Sequence, residues 1–347
     1  MYDAPYPQVW FTYGPQTKED STLRDLIAAG ATGARLTFSY GTPELQIERA
    51  NQIRTISRNL GKDLFLVADL QGEKCRFARL DEIKDIPVTK GERLLLTDQV
   101  SNLNSVPRCI KVQTASYFKI MSPGDVIIEG DGALLLSVVE VMPNGIICAP
   151  ESDGVIHPGR GIVVRSKSFH PESLTAKDLA DFSAIRSSKM FDAIAISFVA
   201  DTEPIERLRS GMREACLPLI AKIETAEGLG NITSIVNAAD AIMAGRGDLA
   251  LAMPWEELPA AVHTIATTSH IANKPWILAT QLVEGLERFS FPTRAEICDL
   301  AHWIDEGAHG VMLSYETAFG PRPVDSVSCV QKIVERYKKT VACQKHQ

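Results

Sequence analysis

The sequence predicts an α/β protein: a (β/α)8 TIM barrel with a small all-β (barrel) lid domain inserted after the third strand. Three observations carry this. Eight short apolar segments recur along the 347 residues, most of them separated by stretches of helical period. Alternation of strand and helix points to a parallel sheet, and eight such units point to a closed barrel. One segment, from Ala78 to about Ile162, breaks the rhythm with short strands punctuated by glycine and proline.

The strand candidates are Val9–Tyr13, Gly33–Phe38, Asp63–Asp69, Asp192–Val199, Pro218–Ile223, Ala239–Ala244, Pro275–Thr280 and Gly310–Ser314. The helical stretch "TLRDLIAAG" stops at Gly30, and "TPELQIERANQIRTISRNLG" stops at Gly61. In "LTAKDLADFSAI", Thr175 stands three residues before Asp178, the spacing of a capping box. "PTRAEICDLAHWIDEG" is expected to open on Pro292 and close at Gly307. In the interrupting segment, "RLLLTDQV", "DVIIEGDGALLLSVVEVM" and "GIICAP" read as strands of a separate β domain. The expected division is therefore residues 1–77 and 163–347 for the barrel and 78–162 for the insertion.

Composition narrows the function. Lys and Arg number 36 against 43 Asp and Glu, a net charge of -7 with no long basic run, so nucleic acid is not the expected partner. No apolar run is long enough to cross a membrane, and "MYDAPYPQVWF" lacks the basic and apolar regions of a signal peptide. The seven cysteines are scattered with no CxxC pair, which argues against a zinc site or a disulfide framework and for a reduced, cytoplasmic setting.

Barrel enzymes build their sites at the C-terminal ends of the strands. Taken in order, those ends here carry Thr12; Arg35, Thr37 and Ser39; Asp69, followed by Lys74 and Arg76; Ser197; Lys222 and Glu224; Arg246 and Asp248; Thr280 and Gln281; and Ser314 and Glu316. Any one of these could be a solvated loop residue, but nearly every strand ends this way and both charge signs are present. Arginine forks and lysine suit phosphoryl oxygens. Carboxylates such as Asp69, Glu224 and Asp248 suit Mg²⁺, which keeps few protein ligands and takes the rest from water and substrate. That combination is what phosphoryl transfer needs, and the chain has no GxxxxGK[ST] loop.

At these positions the chain resembles the pyruvate kinase family. "FTYGPQT" (11–17), "GARLTFSYGT" (33–42), "AKIETAEG" (221–228), "IMAGRGDLALAMP" (242–254), "ILATQLVEGL" (277–286), "PTRAEICDLA" (292–301) and "VMLSYETAFGPRP" (311–323) match its signatures in order and spacing. The resemblance implies transfer of the phosphoryl group of phosphoenolpyruvate to ADP, with Mg²⁺ or Mn²⁺. It implies Glu224 and Asp248 as metal ligands, Lys222 over the transferring phosphoryl, and Arg35 and Arg76 on phosphate. Backbone amides at Gly247 and Asp248 would bind the substrate carboxylate, with Thr280 and Ser314 near the carbon that is protonated. Nucleotide contacts fall at Thr12, Pro15, Tyr40 and Arg160, and Asp131 belongs to the lid that closes over the site. A homodimer through the helix starting at Pro292 is implied too. Members of the family usually continue into a C-terminal regulatory domain, whereas this sequence stops soon after the last barrel helix, so no such domain and no sugar-phosphate effector site are expected.

Departures concentrate on the nucleotide side. The family's "NFSHG" reads "TFSYG", with Thr37 and Tyr40 for asparagine and histidine; Arg160 and Phe319 stand for two lysines near the nucleotide. A different phosphoryl acceptor or enol phosphate is therefore an alternative, and a metal-dependent pyruvate aldolase or lyase a more distant one, since an aldolase needs no phosphoryl grip. In "LVADLQGEKCR" (66–76) the chain has Leu70, Gln71 and Lys74 where the family commonly has threonine, lysine and glutamate. The resemblance implies that Lys74, near Thr37, Ser39 and Asp69, is a tethered substitute for a bound K⁺, so K⁺ is not required. The alternative is a surface lysine paired with Glu73.

Overall fold

The computed structural model describes residues 7–78, 85–99, 104–113, 118, 120–130, 132–165, 174–212 and 216–344, with side chains to 337. The chain opens with β1 (Gln8–Thr12), α1 (Asp20–Ala28), β2 (Gly33–Thr37), α2 (Pro43–Asn59) and β3 (Phe65–Asp69). An all-β stretch follows: β4 (Ile86–Val88), β5 (Leu94–Thr97), β6 (Arg108–Lys111), β7 (Val126–Glu129), β8 (Leu134–Met142), β9 (Gly145–Pro150), β10 (Gly154–Ile156) and β11 (Ile162–Val164). The alternation resumes with α3 (Ala176–Ser188), β12 (Ala193–Ile196), α4 (Glu203–Gly211), β13 (Leu219–Ile223), α5 (Ala226–Gly230) and α6 (Ile232–Ala238). It continues through β14 (Ala241–Gly245), α7 (Arg246–Ala252), α8 (Leu258–Ile271), β15 (Trp276–Ala279) and α9 (Arg294–Asp305). The chain then runs through β16 (Gly310–Met312), α10 (Tyr315–Ala318) and α11 (Pro323–Gln344). Two compact units emerge: residues 1–72, 172–247 and 259–347, and residues 73–171 and 248–258.

The first unit is the predicted barrel, closed in the order β1-β16-β15-β14-β13-β12-β3-β2 with every pair parallel. Register sets Asp69 opposite both Thr37 and Ala195, and Arg35 opposite Thr12. Parallel strands covered on both faces read as continuous apolar runs, which is why they were visible in the sequence. A buried cluster including Trp10, Val67, Ala193, Ile220, Met243, Ile277 and Met312 draws on these strands. Trp10 stacks on Phe65 at 5.5 Å between centroids. Gly33 makes room for it: a Cβ there would lie 2.5 Å from Trp10 Cδ1.

Helix ends follow their sequence signals. The Thr175–Asp178 capping box forms at α3, and Gly30, Gly61 and Gly307 take φ of 108°, 65° and 80° just past helix ends. Pro292 is not the first helical residue: Thr293 is the N-cap of α9, reciprocally bonded with Glu296, and Pro292 precedes it. The hydroxyl captured the start because it satisfies orphan N–H groups that proline cannot. The expected strand Asp192–Val199 is trimmed to Ala193–Ile196. Asp192 instead accepts from Arg54 and from Leu66 N, and Phe198 turns to φ 54°.

The second unit carries a six-stranded sheet in the order β11-β7-β8-β9-β5-β6 and a two-stranded sheet β10-β4. Residues 75–78 bridge its two edges. Phe77 N donates to Arg160 O and Ile162 N to Cys75 O beside β11, while Ala78 N donates to Lys111 O and Gln113 N to Arg76 O beside β6. These bonds close the sheet on itself and remove its edges. Cys75, Phe77, Leu94, Ile110, Ile127, Leu136, Ile146 and Ile162 form its buried core. No helix among the described residues is long and apolar enough to cross a membrane.

Candidate functional site

The barrel unit holds a buried charge network toward the ends of β2, β3, β12 and β13. Asp69, the last residue of β3, is 2% exposed. Its Oδ2 accepts from Arg35 Nε at 2.5 Å, and its Oδ1 lies 3.2 Å from Lys222 Nζ. The ammonium also donates to Ser197 Oγ at 2.8 Å and lies 3.1 Å from Glu224 Oε1. Ser197 Oγ in turn donates to Leu70 O at 2.7 Å. Glu224 Oε2 accepts from Phe198 N at 2.9 Å, and Gly245 on β14 leaves space for this carboxylate, since a Cβ there would sit 2.5 Å from Glu224 Cγ.

Two cations and two anions thus share a site from which water is nearly excluded. Buried charges persist only when paired and hydrogen-bonded, and each here has at least two partners. Burial alone would raise the Asp69 pKa, but the Lys222 and Arg35 charges outweigh it and hold the carboxyl below its ordinary range. Burial would likewise lower the Lys222 pKa, and Asp69 and Glu224 outweigh it, keeping the ammonium protonated above its ordinary value. Lys222 is therefore a fixed positive charge.

A second cluster surrounds the end of β15. Thr280 and Gln281 take φ of 74° and 54°. Arg246 donates to the carbonyls of Thr280 and Gln281 at 2.7 and 3.0 Å and pairs with Asp299 at 2.6 Å. Glu316, 2% exposed, accepts from Leu282 N and Ser314 N, both at 2.8 Å. Thr12 Oγ1 donates to Leu313 O at 2.8 Å and accepts from Arg35 Nη1 at 3.4 Å. Gly247 lies against Thr280, whose Cγ2 would be 3.0 Å from a Cβ at that position. Pro15 and Tyr40 are exposed, and Thr37 Oγ1 accepts from Ser39 N at 3.3 Å.

In the second unit, Lys74 Nζ donates to Asp248 Oδ1 at 2.5 Å. Gly161 accommodates the lysine, since a Cβ there would overlap Lys74 Cε. The partner described for Lys74 is thus a carboxylate of the RGD motif, whereas the sequence placed it with Thr37, Ser39 and Asp69. Arg76 Nη1 donates to Gly159 O at 3.2 Å. Arg160 is exposed. Asp131 lies outside the described residues.

Sequence reading grouped Arg35, Asp69, Lys222 and Glu224 at the strand ends, and the structure brings these together. It underweighted Ser197, whose hydroxyl bridges Lys222 to the β3 turn; its place at a strand end was the available signal. It named Arg246 only as one of the positive charges at the strand ends. That guanidinium is committed to backbone carbonyls and Asp299, a partnership across 53 residues that no local pattern announces. It also left Glu316 without a role.

Glu224 is buried, with its two oxygens on Lys222 Nζ and Phe198 N, and in the second unit Asp248 is paired with Lys74; both are carboxylates, the oxygen donors a hard cation takes. Among the described residues no group of three or more His, Cys, Asp or Glu is placed to hold a metal.

A closed eight-stranded parallel barrel with an inserted β unit, whose strand ends hold a lysine locked between carboxylates, places the chain in the class of (β/α)8 barrel proteins with a charged strand-end cluster. Residues 7–327 match the family model described as pyruvate kinase, barrel domain. The chain is 32% identical over 335 residues to a pyruvate kinase of Thermococcus litoralis, covering 95% of this chain and 70% of that one. It is 31% identical to one of Haemophilus influenzae (93% and 68%) and 32% identical to one of Geobacillus stearothermophilus (95% and 56%). The chain belongs to the pyruvate kinase family.

Proposed function

We propose that this chain transfers the phosphoryl group of phosphoenolpyruvate to ADP, giving pyruvate and ATP. The observation that carries the reading is the buried Lys222 ammonium, fixed by Asp69, Glu224 and Ser197 and kept charged by its two carboxylates. Charge on a transferring phosphoryl group spreads over its equatorial oxygens, so the protein's task is positioning and neutralisation. A preorganised cation in a low-dielectric pocket does this without reorganising solvent.

In this reading Lys222 faces the transferring group while Arg35 and Arg76 hold phosphate oxygens. Asp69 orients both Arg35 and Lys222. The backbone N–H groups at Gly247 and Asp248 take the substrate carboxylate, and Thr280, with Ser314, stands by the carbon that accepts a proton. Glu224 and Asp248 are assigned to a divalent ion, Mg²⁺ or Mn²⁺, which supplies positive charge to the phosphoryl oxygens when bound. Thr12, Pro15, Tyr40 and Arg160 are assigned to ADP and ATP, and Asp131 to a lid function. Lys74 is assigned as the tethered monovalent charge that makes K⁺ dispensable; its pairing with Asp248, the carboxylate of the RGD motif, supports a role in local charge balance. A cytoplasmic setting accords with six free cysteines among the described residues. A homodimer through α9 accords with its exposed Arg294, Ile297 and Cys298.

The test is a coupled assay with phosphoenolpyruvate, ADP and Mg²⁺. The expected result is pyruvate formation that stops with EDTA and returns with added Mg²⁺. No pyruvate at high protein concentration overturns the proposal.

A further inference from the structure

Strand β15 ends in two successive left-handed residues, Thr280 and Gln281, with φ of 74° and 54°. Among the described residues the other non-glycine residues with positive φ, Lys189, Phe198 and Asn273, occur singly. The left-handed conformation is unfavourable for an L-residue, and a β-branched threonine is poorly suited to it. Such geometry persists only where the surroundings over-determine it.

The surroundings here are specific. Arg246 Nε reaches Ala279 O at 3.4 Å, and its Nη2 reaches Thr280 O at 2.7 Å and Gln281 O at 3.0 Å. One guanidinium therefore caps three successive carbonyls. Its Nη1 is taken by Asp299 Oδ2 at 2.6 Å, and Asp299 Oδ1 is itself pinned by Trp303 Nε1 at 2.7 Å. Just beyond, Glu316 Oε1 accepts the N–H groups of Leu282 and Val283 at 2.8 and 3.4 Å. The segment 279–283 thus has its carbonyls on a cation and its amides on an anion. The Thr280 methyl is also set against the Gly247 backbone.

We infer that Arg246 is a positioning residue that holds the Thr280–Gln281 turn in its left-handed form, and so aims Thr280 for proton delivery. This rests on the function proposed above. In that reaction the enolate left by phosphoryl transfer gains a proton at its methylene carbon. The C=C electron pair forms the new C–H bond, the oxygen's pair forms the ketone C=O, and solvent resupplies the proton. Lys222 serves the phosphoryl step. Arg246 serves the carbon step, at a distance, through the backbone.

Two readouts separate the steps: ATP formed in a single turnover from phosphoenolpyruvate and ADP, and exchange of the pyruvate methyl protons with D₂O, each with Mg²⁺ present. Arg246→Lys keeps the charge but cannot fork to three carbonyls. It is expected to slow methyl exchange and kcat by about 10- to 100-fold, with KM for phosphoenolpyruvate and single-turnover ATP formation within about twofold. Adding Gln281→Gly removes part of the left-handed cost and is expected to restore part of the lost exchange. Asp299→Asn, which loosens Arg246 without removing it, should show the same split at smaller size and serves if Arg246→Lys does not fold. Equal losses in both readouts, no loss in either, or no recovery with Gln281→Gly overturn the inference. A wild-type protein that forms pyruvate while the variants fail to split the steps overturns the inference alone. A wild-type protein that forms none overturns the function beneath it as well.

Discussion

Asp69→Asn tests the charge network that underlies the site. The substitution keeps the side chain's shape and one carbonyl oxygen but removes the charge shared by Arg35 and Lys222. At 3.2 Å from Lys222, the lost attraction is roughly 5 kcal/mol at an effective dielectric of about 20. Burying the charges offsets much of that, and breaking a buried pair nets about 3–5 kcal/mol of destabilisation. The retained oxygen puts the expected cost near the lower end, ~3 kcal/mol. At about 2.1 cal/mol/K of unfolding entropy per residue, a chain of 347 residues should lose about 4 °C in Tm. Because the Asp69 carboxyl is held below its ordinary range, its contribution is complete above the unfolded pKa, about 3.9, and is lost as pH falls through the lower folded value. The difference between wild type and variant, read by calorimetry, should be full at pH 7 and shrink as pH drops below that range. The steady-state rate should fall at least ~10-fold, because Lys222 and Arg35 lose their common anchor. An unchanged Tm at pH 7, or a gap that widens toward acid, refutes the network as described.

Three further outcomes follow from the same geometry. Glu316→Ala strands the amides of Leu282, Val283 and Ser314 and should cost about 3 kcal/mol or more at ~1–3 kcal/mol per unsatisfied donor, with Glu316→Gln milder; urea denaturation reads both. Thr293→Ala removes the α9 capping box and should cost about 1 kcal/mol with kcat unchanged, checked by paired melting and rate measurements. Activity in a K⁺-free, Na⁺-free buffer should not rise on adding K⁺, whereas Lys74→Glu should become K⁺-responsive; strong K⁺ activation of the wild type removes the tethered-cation assignment of Lys74.

The barrel was legible because its strands are short apolar runs ending in polar groups, and because glycine or capping residues flank its helices. Lys222, Glu224, Arg35 and Asp69 stood out for the same reason: each is charged at or just beyond the end of a buried strand. The inserted unit was legible as β structure but not strand by strand. β4, β6, β10 and β11 span three or four residues each, too short for alternation to register, and the segment that closes the sheet, 75–78, carries the polar Arg76. The Thr280–Gln281 turn escaped altogether, since left-handed backbone is signalled in sequence by glycine or asparagine and neither is present. What holds that turn is supplied by Arg246 and Glu316, each 33 to 35 residues away in the chain. Arg246 shows the limit plainly: at a strand end it reads only as a positive charge until its partners, three backbone carbonyls and Asp299, are seen.

In the proposed reaction the buried Lys222 ammonium neutralises the transferring phosphoryl group. The most direct test of that role is the turnover of Lys222→Met with phosphoenolpyruvate, ADP and Mg²⁺, alongside a melting curve that establishes a folded barrel. A folded variant with pyruvate formation reduced by at least about 1,000-fold, the scale of removing a preorganised charge from a transition state, is the expected result. A folded variant that turns over at the wild-type rate rules out that role for Lys222.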